Sequence, residues 1–382
     1  MRREDIPQAF AGGRIRTVRA LQKDALAGFT EAARTGGDRV RLEIGPYELL
    51  LISGPQDIEQ VLVTQNRRFT KGRALQYTRR VLGRGLLTSE GDFWRRERRL
   101  IQPAFHRQRI HGMGQVMVDY ASRAARSWQD GAVYDAAAEM MRLTFSIAAA
   151  TLFSAEVSRD ADVVRETLTI AMRHVNGRVR TLVRLPAWMP TPSNRRFERA
   201  ATRLDQVVHG IIRARRQEDG DRDGDDLLAL LMAATDTDGS HLSDQQLRDE
   251  IMTLLLAGHE TTANLLAWTW LLVDQNPAAR DALEREWDTV LGERPVSADD
   301  YPALPYTNAV VSEVLRLYPP AWIIGRAAVE PFELPPLTLP AGTQVLMSPW
   351  IVQRDRRLFA DPDAFRPERW LDGSTRNLPP FA

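Results

Sequence analysis

The chain has 382 residues, of which 43% are hydrophobic and 26% charged, with a formal net charge of +1. That profile belongs to a soluble globular protein with ample material for a core, and it excludes a nucleic-acid binder that works through a global positive field. Cysteine is absent, which excludes disulfides, cysteine-type zinc sites, iron–sulfur clusters and cysteine nucleophiles within these residues.

The N-terminal MRREDIPQAFAGGRIR has no long apolar h-region, and no uninterrupted apolar run reaches the roughly 18 to 20 residues of a membrane span. Neither signal peptide nor membrane anchor is expected, and the expected location is cytoplasmic. RVRLEIG and YELLLIS flank Gly45-Pro46 and read as a hairpin. Gly54-Pro55 then opens a helix, and from there to about residue 330 the dominant period is helical. LVRLPAWMPTPSN, residues 182–194, is a proline-rich connector, and RRQEDGDRDGDD, residues 215–226, a solvated loop. Asn276 as N-cap with Pro277 in the first turn starts AARDALEREWDTVL, and Gly292 ends it. PFELPPLTLPAGTQVLMSPW reads as short strands broken by prolines, followed by coil to the end. The expected fold class is mainly α with small β elements at both ends.

One helix stands out. Ser243 and Gln246 form a capping box, and the next helix begins at Pro277, so about thirty helical residues, roughly 45 Å, lie between. Its middle, IMTLLLAGHETTANLLAWTWLLV, is apolar on nearly every face and is expected to be buried throughout. Gly258, His259, Glu260, Thr261, Thr262 and Asn264 interrupt that burial at a cost of several kcal/mol unless partners or water meet them. Two readings stand side by side. One is an opening beside a ligand, with Ala257 and Gly258 allowing close approach and Glu260 and Thr261 carrying protons. The other is a structural network with threonine bonded back to the preceding turn. HETTA departs from the zinc-protease HExxH pattern, since Ala263 stands at the second histidine position, and the other five histidines are scattered; no metal ligand is assigned.

Two further constellations carry chemistry. In YTNAVVSEVLRLYPP, Glu313 and Arg316 can pair on one helical face, with Arg369 of the PERW stretch as a third partner. In SEGDFWRRERRLIQPAF, Trp94 and Arg98 stand four apart, an indole N–H beside a guanidinium, suited to a carboxylate-bearing ligand or to a simple cation–π pair. Arg95, Arg96 and Arg99 give the same helix a basic outer face, able to dock an acidic partner or simply solvated.

FWRRERR, AGHETT, EVLR and DPDAFRPERW follow one another in that order, and together they resemble the cytochrome P450 superfamily of haem-thiolate monooxygenases. The resemblance covers essentially the whole chain and implies the P450 fold, a helical prism with small β-sheets, as a single domain over residues 1–382. It implies a haem whose propionates are bound by Trp94, Arg98 and Arg326, with Lys71 a weaker candidate. Ala257 and Gly258 would border the oxygen-binding face, Thr261 would hydrogen-bond the dioxygen, and Glu260 would help deliver protons. Glu313, Arg316 and Arg369 would form the family's structural triad, Ile323 and Ile324 would line an apolar substrate pocket, and residues 182–194 would be a mobile access loop. The implied partners are an apolar small-molecule substrate, O2 and a ferredoxin- or flavodoxin-type electron donor, acting on a monomer. The family's axial cysteine lies in a loop soon after the PERW stretch, followed by another helix; this sequence, without cysteine, is expected to be incomplete at its C-terminus and inactive alone. The alternative is a non-catalytic helical binding or remnant protein.

Overall fold

Helices account for most of the fold, as the 3.6-residue period predicts. The computed structural model describes residues 6–10, 13–44, 47–153, 158–180, 189–217, 226–236, 239–375 and 378. Strands β1 (Arg39–Ile44) and β2 (Tyr47–Ile52) form the expected antiparallel hairpin, with Leu42 opposite Leu49. The proline-broken stretch supplies β5 (Phe332–Leu334), β6 (Leu337–Leu339) and β7 (Gln344–Met347), whereas β3 (Phe69–Lys71) and β4 (Ile324–Ala328) fall inside the span read as helical and correct that expectation. Five strands join in the order β1-β2-β7-β4-β3, with β2 and β7 parallel; β5 and β6 pair separately. Chain ends far apart in sequence therefore meet in one sheet, which places Lys71 opposite Arg326.

The central helix runs from Asp244 to Gln275, 32 residues, and starts with the expected reciprocal Ser243–Gln246 capping box. Its N-terminal half is core: Ile251, Met252 and Leu255 are fully buried among Leu152, Leu204, Val208 and Leu228. Each such side chain contributes about 1.5–3 kcal/mol by leaving water. The expectation of burial throughout fails from Ala257 onward, where Ala257, Gly258, Thr261, Thr262 and Asn264 are exposed. The reason is packing. The helices Ala136–Phe153, Pro192–Gln217 and Pro305–Leu317 all pack on the central helix, and the side that carries Ala257, Gly258 and Thr261 is left exposed among the described residues. Hydrophobicity on all sides marked the helix as central, without showing which side would be left open.

The helix Ala136–Phe153 is apolar and long enough to cross a membrane by length and composition. It packs along the central helix instead, where Thr144 Oγ1 donates to the His259 carbonyl at 2.9 Å and Phe145 meets the His259 ring edge-on. Asn276 precedes the helix Pro277–Val290 as expected, but its side chain does not cap it; the amide donates back to the Leu272 carbonyl at 2.7 Å. The next helix, Pro305–Leu317, is capped in trans. Glu286 accepts from the Tyr306 and Thr307 amides at 2.6 and 2.8 Å and from Thr307 Oγ1 at 2.7 Å, meeting donors that a helix start leaves unpaired. Residues 182–188 of the proposed access loop and 218–225 of the acidic loop lie outside the described residues.

Candidate functional site

The EVLR helix holds the most completely paired carboxylate. Glu313, 0% exposed, accepts from Arg316 Nε and Nη2 at 2.9 and 2.8 Å, Arg369 Nε at 3.0 Å, the Arg366 amide at 2.9 Å and Trp370 Nε1 at 2.9 Å. Burial pushes its carboxyl up, but the Arg316 hydrogen bonds and charge outweigh that and hold it below the ordinary glutamate value. Arg316 also donates to the carbonyls of Gln353, Pro362 and Ala364, so the triad fastens the coil that carries Arg369. Trp370 was not singled out in the sequence; its place directly after Arg369 was the available signal.

Trp94 and Arg98 lie on the helix Gly91–Ile101 and face one another, with the guanidinium 5.2 Å from the ring centroid and Lys71 Nζ 5.6 Å from the same ring. Arg326 joins this edge from β4, opposite Lys71. Its guanidinium is half-buried, donates among the described residues only to the Gly325 carbonyl at 3.0 Å, and is held below its usual pKa by burial, with Glu90 partly opposing. Lys71 differs from the other cations, since its ammonium donates to the Leu86 and Ser89 carbonyls at 2.6 and 2.8 Å. It organises a loop instead of pointing to a ligand. The basic outer face is also largely paired: Arg95 with Asp92, and Arg96 and Arg99 with Asp236.

On the central helix, Thr261 Oγ1 donates to the Ala257 carbonyl at 2.6 Å, the back-bonded geometry weighed for it above. Ala257, Gly258 and Thr261 nevertheless share the open face, and a Cβ added at Gly258 would meet nothing nearer than Ala148 Cβ at 3.9 Å. His259 points the other way, 6% exposed, with Nδ1 at 2.9 Å from the Leu255 carbonyl; burial lowers its pKa. Ile323 and Ile324 are half-buried, packed against a cluster around Phe29 and Val40 and one around Val345 and Met347 respectively.

These observations test whether a haem fits. A dianionic, planar, largely apolar ligand needs cations at one edge and a flat, small-residue face. Arg98 and Arg326 supply cations without a carboxylate partner among the described residues, Trp94 an indole N–H beside Arg98, and Ala257-Gly258 the uncrowded face, so the propionate edge and one face fit. The structure also reveals groups that motif reading passed over. Glu97, Glu250 and Thr253 are buried polar residues, and Thr253 and Glu250 lie about two and three helical turns upstream of Thr261.

The family model for cytochrome P450 matches residues 15–382. Cyclooctatin synthase of Streptomyces melanosporofaciens is 41% identical over 337 residues, covering 88% of this chain and 73% of that protein. Cyclooctat-9-en-7-ol 5-monooxygenase of the same organism is 38% identical, over 90% of this chain and 74% of that protein. Pentalenene oxygenase of Streptomyces avermitilis is 35% identical, over 91% and 77%. Among solved structures, a cyanobacterial CYP120A1 with bound retinoic acid superposes with a TM-score of 0.85 at 25% identity, covering 98% of this chain and 84% of that one. The motif order, the buried Glu313 triad, the cationic edge and these matches agree: the chain belongs to the cytochrome P450 family.

Proposed function

We propose that this chain is the scaffold of a haem monooxygenase that inserts one oxygen atom of O2 into an apolar, terpene-type alkene or alkenol. The observation that carries the reading is a pair of cations, Arg98 and Arg326, without a carboxylate partner among the described residues, together with the exposed Ala257, Gly258 and Thr261 side of the central helix. The names of the bacterial relatives, cyclooctatin synthase, cyclooctat-9-en-7-ol 5-monooxygenase and pentalenene oxygenase, support the substrate class. The sequence contains no cysteine, so in this reading the iron thiolate comes from residues outside these 382, and electrons from a ferredoxin- or flavodoxin-type donor in the cytoplasm.

When bound, the haem supplies the activation of dioxygen. The chain's own residues do the rest. Trp94, Arg98 and Arg326 hold the propionates, and Ala257 and Gly258 admit the ring face. Thr261 offers a hydroxyl that can exchange the Ala257 carbonyl for a ligand oxygen, Glu260 one residue away handles protons, and Ile323 and Ile324 border the apolar substrate. Thr261→Ala in the haem-loaded protein should lower the product formed per electron consumed by about tenfold or more, the scale for losing a positioned proton-handling group. Haem content should stay unchanged. Unaltered coupling would remove Thr261 from the mechanism.

A further inference from the structure

The polar side of the central helix does not stop at the open face. In steps of three and four back from Thr261, Ala257, Thr253, Glu250 and Gln246 stand on the same side of the helix. Around this upstream stretch four buried side-chain atoms have no hydrogen-bond partner among the described residues: Glu250 Oε1, Thr253 Oγ1, Ser89 Oγ and Glu97 Oε2. Their residues are at most 4% exposed. Each such orphan costs about 1–3 kcal/mol, and bridging water is the usual remedy where several polar groups converge.

The loop from Gly83 to Glu90 roofs this group. The Leu86 amide donates to Glu250 Oε2 at 3.0 Å and the Arg84 amide to Asp249 Oδ2 at 2.7 Å, while Lys71 Nζ holds the Leu86 and Ser89 carbonyls. Gly83 has φ +59, and a Cβ on Gly85 would come within 2.3 Å of Thr253 Oγ1, so the loop lies directly on the threonine hydroxyl. Thr253 differs from the other buried α-helical threonines. Thr144, Thr151, Thr167, Thr261, Thr269 and Thr289 all donate to the carbonyl four residues back; Thr253 leaves its hydroxyl free. At the other end, Gln246 Nε2 and Arg96 Nη1 donate to Glu97 Oε1 at 2.8 and 3.1 Å, and Arg96, 26% exposed at its side chain, reaches Asp236 and Ser240.

We propose that Glu250 holds a transferable proton in a hydrated pocket beneath the Gly83–Glu90 loop and that this pocket feeds protons past Thr253 to Thr261. The proposal rests on the monooxygenase reading above. The groups facing Glu250 are Glu97 from the neighbouring helix, Asp249 beside it, Lys71 from β3 and the Leu86 amide. Burial pushes its carboxyl up to about 8, with the Leu86 amide and Lys71 opposing and Glu97 and Asp249 assisting, so it is neutral and carries a proton at pH 7. The Thr253 hydroxyl takes up that proton and releases its own to water at Ala257, where the helix face opens about 6 Å further along the axis. From there the proton reaches Thr261, and the Glu250 carboxylate is reprotonated from solvent by way of Glu97.

Glu250→Gln tests this because it keeps the volume and an acceptor for the Leu86 amide while removing the proton. Infrared difference spectra of the 382-residue chain, native against Glu250→Gln, should contain one protonated carboxyl C=O band at pH 7 that shifts in D2O and fades through about pH 8. In the haem-loaded protein the same variant should lower coupling by about threefold or more, flatten its pH profile, and be partly rescued by Glu250→Asp. A missing carboxyl band at pH 7, or a band whose loss leaves coupling and its pH profile unchanged, overturns the proposal. If Thr261→Ala is silent as well, the monooxygenase reading has failed; if only Glu250→Gln is silent, the failure belongs to the proton pocket alone.

Discussion

Glu313→Ala should cost about 3–5 kcal/mol of folding free energy, the scale for stripping one partner from a buried ion network. The variant leaves Arg316 and Arg369, 1% and 5% exposed, without the carboxylate that both guanidinium groups address. Trp370 Nε1 and the Arg366 amide lose the same acceptor. Against a total stability of roughly 5–15 kcal/mol for a domain, that loss is a large share of what holds the native state. The coil 353–370, held by Arg316 and Arg369 through its carbonyls, should loosen first. A urea titration followed by circular dichroism measures the effect. Glu313→Gln should fall in between, since it keeps an acceptor and loses the charge. A change below about 1 kcal/mol in the alanine variant would show that the triad is not the fastening it is described to be here.

Glu250→Gln should stabilise the protein at pH 8, the opposite sign from most core substitutions. The folded carboxyl titrates at about 8 against an ordinary 4.5. Above pH 4.5 the unfolded chain sheds its proton while the folded chain keeps it, so stability is full below 4.5 and falls as pH rises through 8. At about 1.4 kcal/mol per unit, the native protein loses roughly 4–5 kcal/mol over that window. Glutamine resembles the neutral acid and does not titrate, so the variant is spared the loss. Unfolding midpoints of both proteins between pH 5 and 8.5 should coincide at the acid end and diverge steadily above it. Parallel curves would mean that Glu250 titrates normally, through solvent that reaches it.

How much of this was legible in the sequence depends on the range of the interaction. The β1–β2 hairpin, the capping box at Ser243 and the helix stop after Leu317 follow from neighbours within four residues, and the structure reproduces them. Glu313 with Arg316 was visible as an i,i+3 pair; its closure by Arg369 was read from the family resemblance and is realised at 3.0 Å. What escaped depended on tertiary packing. Asn276 sits at a normal cap position, but the Leu272 carbonyl of the preceding helix competes for its side chain and wins. Lys71 is a cation next to a cationic edge, and only the fold shows the Leu86 and Ser89 carbonyls turned toward it. The open side of the central helix could not be read from a sequence apolar all round. Glu250 had a signal of its own, an acidic residue in register with Thr253, Ala257 and Thr261 inside an apolar run, but its burial under a loop more than 160 residues away could not be seen from local pattern.

The central claim is that these residues form the propionate edge and oxygen-facing side of a haem-thiolate site. The most direct test is the absorption spectrum of the reduced, carbon monoxide-treated haem complex, recorded for the 382-residue chain and for the protein extended through the glycine-rich cysteine loop that the family reading requires. The extended protein should show the long-wavelength Soret band of a thiolate-ligated haem, and the 382-residue chain should bind haem weakly without it. A thiolate-type band from the 382 residues alone, or its absence from the extended protein, would contradict the account.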